Sequence, residues 1–264
     1  IDIGPQTVAY VSQGEASLLE LADRVRNIEQ EKRKLQRKMD RSRRATNPEN
    51  YAEDGTIRRG IRLTRNKSGR YRKLQKELAF LQHHQADIRK QQHIALANHL
   101  LSLGDRFYVE DMAWPSLTHR AKETVISPKT GRYQRKKRFG KSVANKAPAM
   151  FLGILTQKCV SLGLPGVVKV STSVRASQYN HLTETYQKKP LSQRWNVMPD
   201  GRKIQRDLYS AFLLQHMTPQ LDGFDPDGLR QDYESFAVLH EEAIHKLRLV
   251  PRTLTSMGLQ RKCS

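Results

Sequence analysis

A carboxylate inside an apolar strand is the feature that most restricts what this chain can fold into. Ile1-Asp2-Ile3-Gly4 passes through a Gly-Pro turn into Val8-Ala9-Tyr10-Val11, which reads as a hairpin whose first strand is buried. An ionised Asp is seldom kept in such a setting unless it is paired or holds a metal. Two other apolar stretches carry an acid in the same way. Arg106-Phe107-Tyr108-Val109-Glu110 is a strand that ends on Glu110, and Gln205-Arg206-Asp207 places Asp207 at the start of Leu208–Leu214, whose spacing suits a buried helix.

Three acids far apart in sequence, each at the edge of an apolar element, match the needs of two-metal phosphodiester chemistry. Mg²⁺ prefers a few carboxylates and several waters, and two ions roughly 3.5–4 Å apart can clamp the attacking and leaving oxygens. An acid at a strand end also serves as an N-cap or a salt-bridge partner, so the three residues by themselves leave both roles open.

The order of Ile1-Asp2-Ile3-Gly4, Tyr108-Val109-Glu110-Asp111, Ser177-Gln178, Lys189-Pro190-Leu191-Ser192-Gln193-Arg194 and Gln205-Arg206-Asp207-Leu208-Tyr209-Ser210-Ala211 resembles the TnpB family of transposon-encoded proteins. These are relatives of the type V CRISPR effectors and share with them a RuvC-like nuclease domain. The resemblance spans roughly residues 1 to 215. It implies an α/β fold: an RNase H-like (RuvC-like) mixed sheet flanked by helices, with a long helical hairpin insertion and a ribbon-like insertion. It places Asp2, Glu110 and Asp207 on the family's catalytic acids. Asp2 would bridge two Mg²⁺ ions, Glu110 would hold one and Asp207 the other, with Mn²⁺ as a substitute. The implied activity is RNA-guided DNA cleavage, with a DNA substrate and a guide RNA as partners. The resemblance further implies a recognition portion ahead of Ile1.

Charge supports a polyanionic partner independently. Residues 31–76 hold 17 Lys or Arg against 5 acids and residues 120–146 hold 10 against 1, so these two segments carry the whole net charge of +21. Such concentration favours nucleic acid over a membrane surface, the alternative being a pair of solvated helix faces. Arg37, Arg41 and Arg44 in the first segment, Lys136, Lys137 and Arg138 in the second, and Arg194 further on are the expected phosphate contacts. The two cysteines, Cys159 and Cys263, lie far apart and form no metal or disulfide motif. No apolar run is long enough to span a bilayer and nothing at the start resembles a signal peptide, which makes the cytoplasm the expected compartment.

Along the chain, Leu21, Val25, Ile28, Lys32, Leu35 and Met39 form one helical stripe, and a second helix is expected from about Tyr71 to Ser102. Their connector contains turn signals and two tyrosines, Tyr51 and Tyr71, that could stack on bases. His83, His84, His93 and His99 read as polar helix residues. The expected organisation is residues 1–176 as the first part of the nuclease domain, with 20–102 as the helical hairpin and 115–146 as a basic loop. Residues 177–204 then form the ribbon-like insertion, 205–217 the last nuclease helix and 218–264 a C-terminal tail that carries one more helical stripe.

Many TnpB proteins hold the ribbon with two CxxC pairs. Here Asn180, Thr183, Val197 and Asp200 stand at the cysteine positions, so no zinc is expected. The lost folding free energy must be offset, and a small apolar cluster of Tyr179, Leu182, Tyr186, Leu191, Trp195 and Val197 is the expected replacement. Two other function classes stay open: a catalytically inactive nucleic-acid-binding relative, and a non-catalytic basic scaffold for structured RNA.

Overall fold

The computed structural model describes residues 1–119, 123–128, 130–133, 139–250 and 253–259. The chain is mixed α/β and divides into two compact units, residues 1–22 with 92–264 and residues 23–91.

The first unit is built on short strands. β1 (Asp2–Ile3) pairs antiparallel with β2 (Thr7–Val11), which pairs antiparallel with β3 (Ala16–Glu20). After a long helix, α2 (Gly69–Leu103), comes β4 (Arg106–Glu110); two short helices follow, α3 (Trp114–Thr118) and α4 (Gly140–Lys146). α5 (Pro148–Ser161) then crosses back to β5 (Gly166–Val170), which lies parallel to β4 with Glu110 opposite Val170. β1 runs beside β4, where the Ile1 nitrogen donates to the Tyr108 carbonyl at 2.8 Å. The strands therefore follow one another in the order β3, β2, β1, β4, β5.

Alternation along these strands sorts side chains between two apolar layers. Ile1, Ile3, Val8, Tyr10, Phe107 and Val109 face one layer, which is completed by Ala97 and Leu100 of α2 and Phe151, Leu155 and Cys159 of α5. Ala9, Ala16, Leu18 and Val170 face the other layer. That side is covered by α6 (Arg206–Gln215) and α7 (Pro226–Leu249), through Leu208, Tyr209, Phe212, Leu229, Phe236 and Ile244. Residues 218–264, expected as a tail, thus contribute a 24-residue core helix. Phe236 stacks on Phe212 with ring centroids 4.3 Å apart.

The expected basic loop, 115–146, is helical at both ends, in α3 and α4. Lys146 closes α4 and is only 6% exposed; its Nζ donates to the Ala22 carbonyl at 2.9 Å and pairs with Glu20 at 2.6 Å. His93, expected on a polar helix surface, is fully buried against Phe151, with its Nε2 2.9 Å from the Lys146 carbonyl. Its position on α2 is governed by what packs there, which local sequence does not reveal.

The second unit holds α1 (Glu29–Thr46), its connector and the N-terminal part of α2. The stripe from Leu21 predicts an earlier helix start. Instead the Leu21 amide still donates to Gln6 O at 2.8 Å, and Ala22 turns with φ +46°. A residue committed to strand pairing cannot open a helix, so α1 begins at Glu29. Val25 and Ile28 nonetheless remain buried.

Candidate active site

Pleat alternation decides where the first two acids point. Ile1 and Ile3 face the α2/α5 layer, so Asp2 between them faces α6; Phe107 and Val109 do likewise, so Glu110 faces α6 as well. The third acid, Asp207, lies in the first turn of α6, which packs on β1, β2, β3 and β4. Three residues more than 90 positions apart in sequence are thereby brought to one side of the sheet, within electrostatic reach of one another.

The effect on Asp2 is marked. Burial, then the Asp207 and Glu110 carboxylates, push the Asp2 pKa up to about 8. Among the described residues the buried Ser210 hydroxyl has no partner in good hydrogen-bond geometry, yet it is near enough to Asp2 to favour its ionised form slightly. Burial also raises Glu110 above the usual carboxylate range, opposed by the Ile1 nitrogen and by Arg206. Among the described residues no three His, Cys, Asp or Glu side chains are grouped closely enough to hold a metal ion as they stand.

The backbone around Asp207 is held by a dense polar network. The Gln205 side chain caps α6 by accepting from the Leu208 amide at 2.8 Å, and its Nε2 lies 3.3 Å from Asp207 Oδ2. The Gln205 amide donates in turn to His240 Nε2 of α7 at 2.9 Å. Arg194 Nη1 stands 3.7 Å from Asp207 Oδ1, and the Arg194 carbonyl accepts from the Arg206 amide at 2.9 Å. The buried Arg206 guanidinium donates to Pro190 O at 3.2 Å and to Ser177 Oγ at 3.3 Å. The short motifs around Ser177 and Pro190 therefore meet at Arg206, and Arg194 reaches the third acid rather than solvent alone.

The ribbon-like segment consists of two small hairpins. β6 (Tyr179–Asn180) pairs with β7 (Thr185–Tyr186), and β8 (Trp195–Val197) with β9 (Lys203–Gln205). At two of the positions expected for cysteine the side chain closes its own turn: Asn180 Oδ1 accepts from Leu182 N, and Asp200 Oδ1 from Arg202 N, both at 3.0 Å. The expected apolar cluster does not form. Leu191 is 71% and Val197 68% exposed, and Leu182 and Tyr186 are exposed too, because hairpins this short have no second apolar face to cover them. His181 holds the segment instead. It is 1% exposed, bonded through Nδ1 to the Tyr209 hydroxyl at 2.7 Å, and set edge-on to Tyr233. Ion pairs of Arg202 with Glu234 and of Arg230 with Glu184 tie both hairpins to α7.

His181 and His240 were not singled out for this role in the sequence. No local signal marks them, since their burial depends on α6 and α7. Burial lowers the pKa of each to about 4. A histidine kept neutral in the fold stabilises it fully above about pH 6.5 and loses that contribution as pH falls toward 4. Each can contribute up to about 3 kcal/mol, and Asp2, whose protonation relieves repulsion, acts in the opposite sense. Urea midpoints should therefore fall between pH 7 and pH 4.5, with a shallower fall in His240→Gln. An unchanged fall in that variant would remove His240 from the acid response.

Of the expected phosphate contacts, Arg37 and Arg41 are exposed on α1, where they line a shallow 480 Å³ cavity with Arg33, Gln36 and Asp40. Arg44 is drawn into its own unit, with Asp40 at 2.8 Å, Gly55 O at 2.7 Å and the Tyr51 ring at 4.9 Å. Lys136, Lys137 and Arg138 lie outside the described residues. Among the described residues no helix is long and apolar enough to cross a membrane. Comparison of the chain with family models and with curated proteins returns no match.

Proposed function

We propose that this chain is the nuclease portion of a metal-dependent DNA endonuclease with an RNase H-like, RuvC-like fold, guided by RNA as its resemblance to TnpB proteins implies. The observation that carries the reading is the convergence of Asp2, Glu110 and Asp207 on the α6 side of the sheet. The strand order β3, β2, β1, β4, β5, with β1 beside β4, supports the same fold.

The donor set suits a hard divalent cation. It offers carboxylate oxygens without Cys or His, which favours Mg²⁺ or Mn²⁺ over Zn²⁺. Asp2, whose proton affinity is raised by burial and by the Asp207 and Glu110 carboxylates, gains when a cation replaces the proton. Asp2, Glu110 and Asp207 would hold it, and when bound it supplies an activated water and charge neutralisation at the phosphodiester. The chain's own contribution is orientation: Gln205 and His240 hold the start of α6, Arg206 ties the Ser177 hydroxyl and the Pro190 carbonyl to it, and Arg194 beside Asp207 can meet a phosphate.

The Arg194–Asp207 contact favours a second reading, in which the third acid is a structural ion-pair partner in an inactive nucleic-acid-binding relative. Labelled single-stranded and duplex DNA, incubated with the purified chain and its co-purified RNA in Mg²⁺, Mn²⁺ or EDTA, separates the two. The endonuclease reading expects cleavage in either metal and none in EDTA. Tight binding without cleavage in any metal would establish the inactive relative instead.

A further inference from the structure

The connector between α1 and α2 is ordered in a way that its composition does not require. Asn47 is fully buried and Asn50 only 6% exposed, each within a stretch that has almost no apolar core of its own. The Asn47 side chain donates to Asn66 O at 3.0 Å and accepts from Asn66 N at 2.8 Å. Asn50 does the same at Thr64, donating to its carbonyl at 2.6 Å and accepting from its amide at 2.9 Å. Two side-chain amides thus act as a strand partner for residues 64 and 66, and the Asn50 carbonyl further accepts from Arg58 N at 2.9 Å.

This clamp fixes a surface of unusual content. Arg59, Arg62 and Arg65 are exposed, and none has an ion-pair partner among the described residues. Between and before them stand Ile57, Ile61 and Leu63, which are 51%, 46% and 36% exposed. A charge run that serves only for solubility needs neither a fixed backbone nor exposed aliphatic side chains. Fixing a loop before binding lowers the ordering cost at the moment of binding.

We propose that residues 57–66 form a preorganised contact for double-helical nucleic acid, in which Arg59, Arg62 and Arg65 meet phosphates and Ile61 and Leu63 lie against sugar edges or enter the minor groove. The choice of duplex over single strand comes from the tyrosines. Single-strand binders offer open aromatic faces to bases, but here Tyr51 lies beneath the Arg44 guanidinium at 4.9 Å and Tyr71 beneath the Lys67 ammonium at 5.9 Å. Aliphatic side chains flanked by arginines suit a duplex groove. The inference rests on this loop and on charge, and does not depend on catalysis by the three acids.

The test uses the full chain in EDTA, with fluorescence anisotropy on matched duplex RNA, duplex DNA and single-stranded RNA at several salt concentrations. The two duplex arms show which helix form is taken, and either supports the proposal. Replacing Arg59, Arg62 and Arg65 together by Ala should lower the log-log salt slope for duplex by about 2 to 3 units and weaken binding more than tenfold near 0.15 M salt. Asn50→Asp keeps the acceptor for Thr64 N but loses the donor to Thr64 O, and leaves every arginine in place. It should weaken duplex binding about three- to tenfold with little change in slope, while circular dichroism shows the helices intact. Ile61→Ser with Leu63→Ser, both on the surface and harmless to folding, should weaken duplex but not single-strand binding. Preference for single-stranded RNA, or wild-type duplex affinity in the triple arginine variant, would overturn the proposal; wild-type affinity in both the Asn50 and the aliphatic variants would reduce the loop to a solvated charge run.

Discussion

Asp2→Asn is expected to abolish Mg²⁺-dependent cleavage and, in the same protein, to raise the stability of the metal-free fold. The substitution keeps the shape of the side chain and removes its charge from a site where burial, Asp207 and Glu110 all disfavour that charge. If the acid serves metal binding, its loss removes several kcal/mol of transition-state stabilisation, which is about a thousandfold or more in rate. Stability moves the other way. A carboxyl whose folded pKa is raised from 3.8 to about 8 weakens the fold progressively as pH rises through that interval, because the unfolded chain can ionise where the folded one resists. The wild-type chain should therefore lose stability from this group between about pH 4 and pH 8, and Asp2→Asn should not. For the same reason the cleavage rate should rise between pH 6 and pH 8, as metal competes more easily with the proton. Single-turnover cleavage and urea midpoints across this pH range, taken on both proteins, test the two halves together. Loss of activity with loss of stability would mark Asp2 as a structural ion-pair residue; retained activity would remove it from the site.

Removing α7 should cost the first unit its cooperative fold. The helix buries Leu229, Tyr233, Phe236, Ala243, Ile244 and Leu247 in the same layer as α6, and α6 carries Asp207. Without it Phe212, Leu208 and Tyr209 would face water, and the Gln205 amide would lose its acceptor on His240. Phe236→Ala is the milder form of the experiment. Its ring is 2% exposed and stacked on Phe212, so truncation should cost about 3–5 kcal/mol through lost burial and a residual cavity. The chain ending before Pro226 should lack a sigmoidal urea transition and near-ultraviolet dichroism. A shortened chain that unfolds cooperatively near the full-length midpoint would show that residues beyond 225 form a separable appendage.

The contrast between α7 and the three acids shows what kind of information each level holds. An apolar stripe at Phe236, Leu239, Ala243, Ile244 and Leu247 marks a helix with one buried face, because periodicity is a local property of the chain. It does not say which surface covers that face, and so α7 reads as a tail until the layer over β3 and α6 is seen. Strand patterns are legible for the same local reason: β2 and β4 lie close to where alternation puts them.

For the acids the local pattern carried more. Placing Asp2 between two isoleucines and Glu110 after Val109 already assigns each to the polar-bearing side of its strand, since the pleat leaves only two faces. That both faces are the same one, and that α6 brings Asp207 to it, follows only from β1 lying beside β4 and from a helix nearly a hundred residues further on. His181, His240, Asn47 and Asn50 lie at the other extreme. As letters in the chain they are ordinary polar residues, and only the elements that enclose them turn them into a core plug, a backbone acceptor and two strand partners. The amino-acid sequence by itself determined the long helices, the strands that carry the acids, the charge segments and the positions of the carboxylates, because these depend on near neighbours. Tertiary structure alone decided which polar groups lose water and what they bond to in its place, because desolvation is imposed by residues distant in the chain.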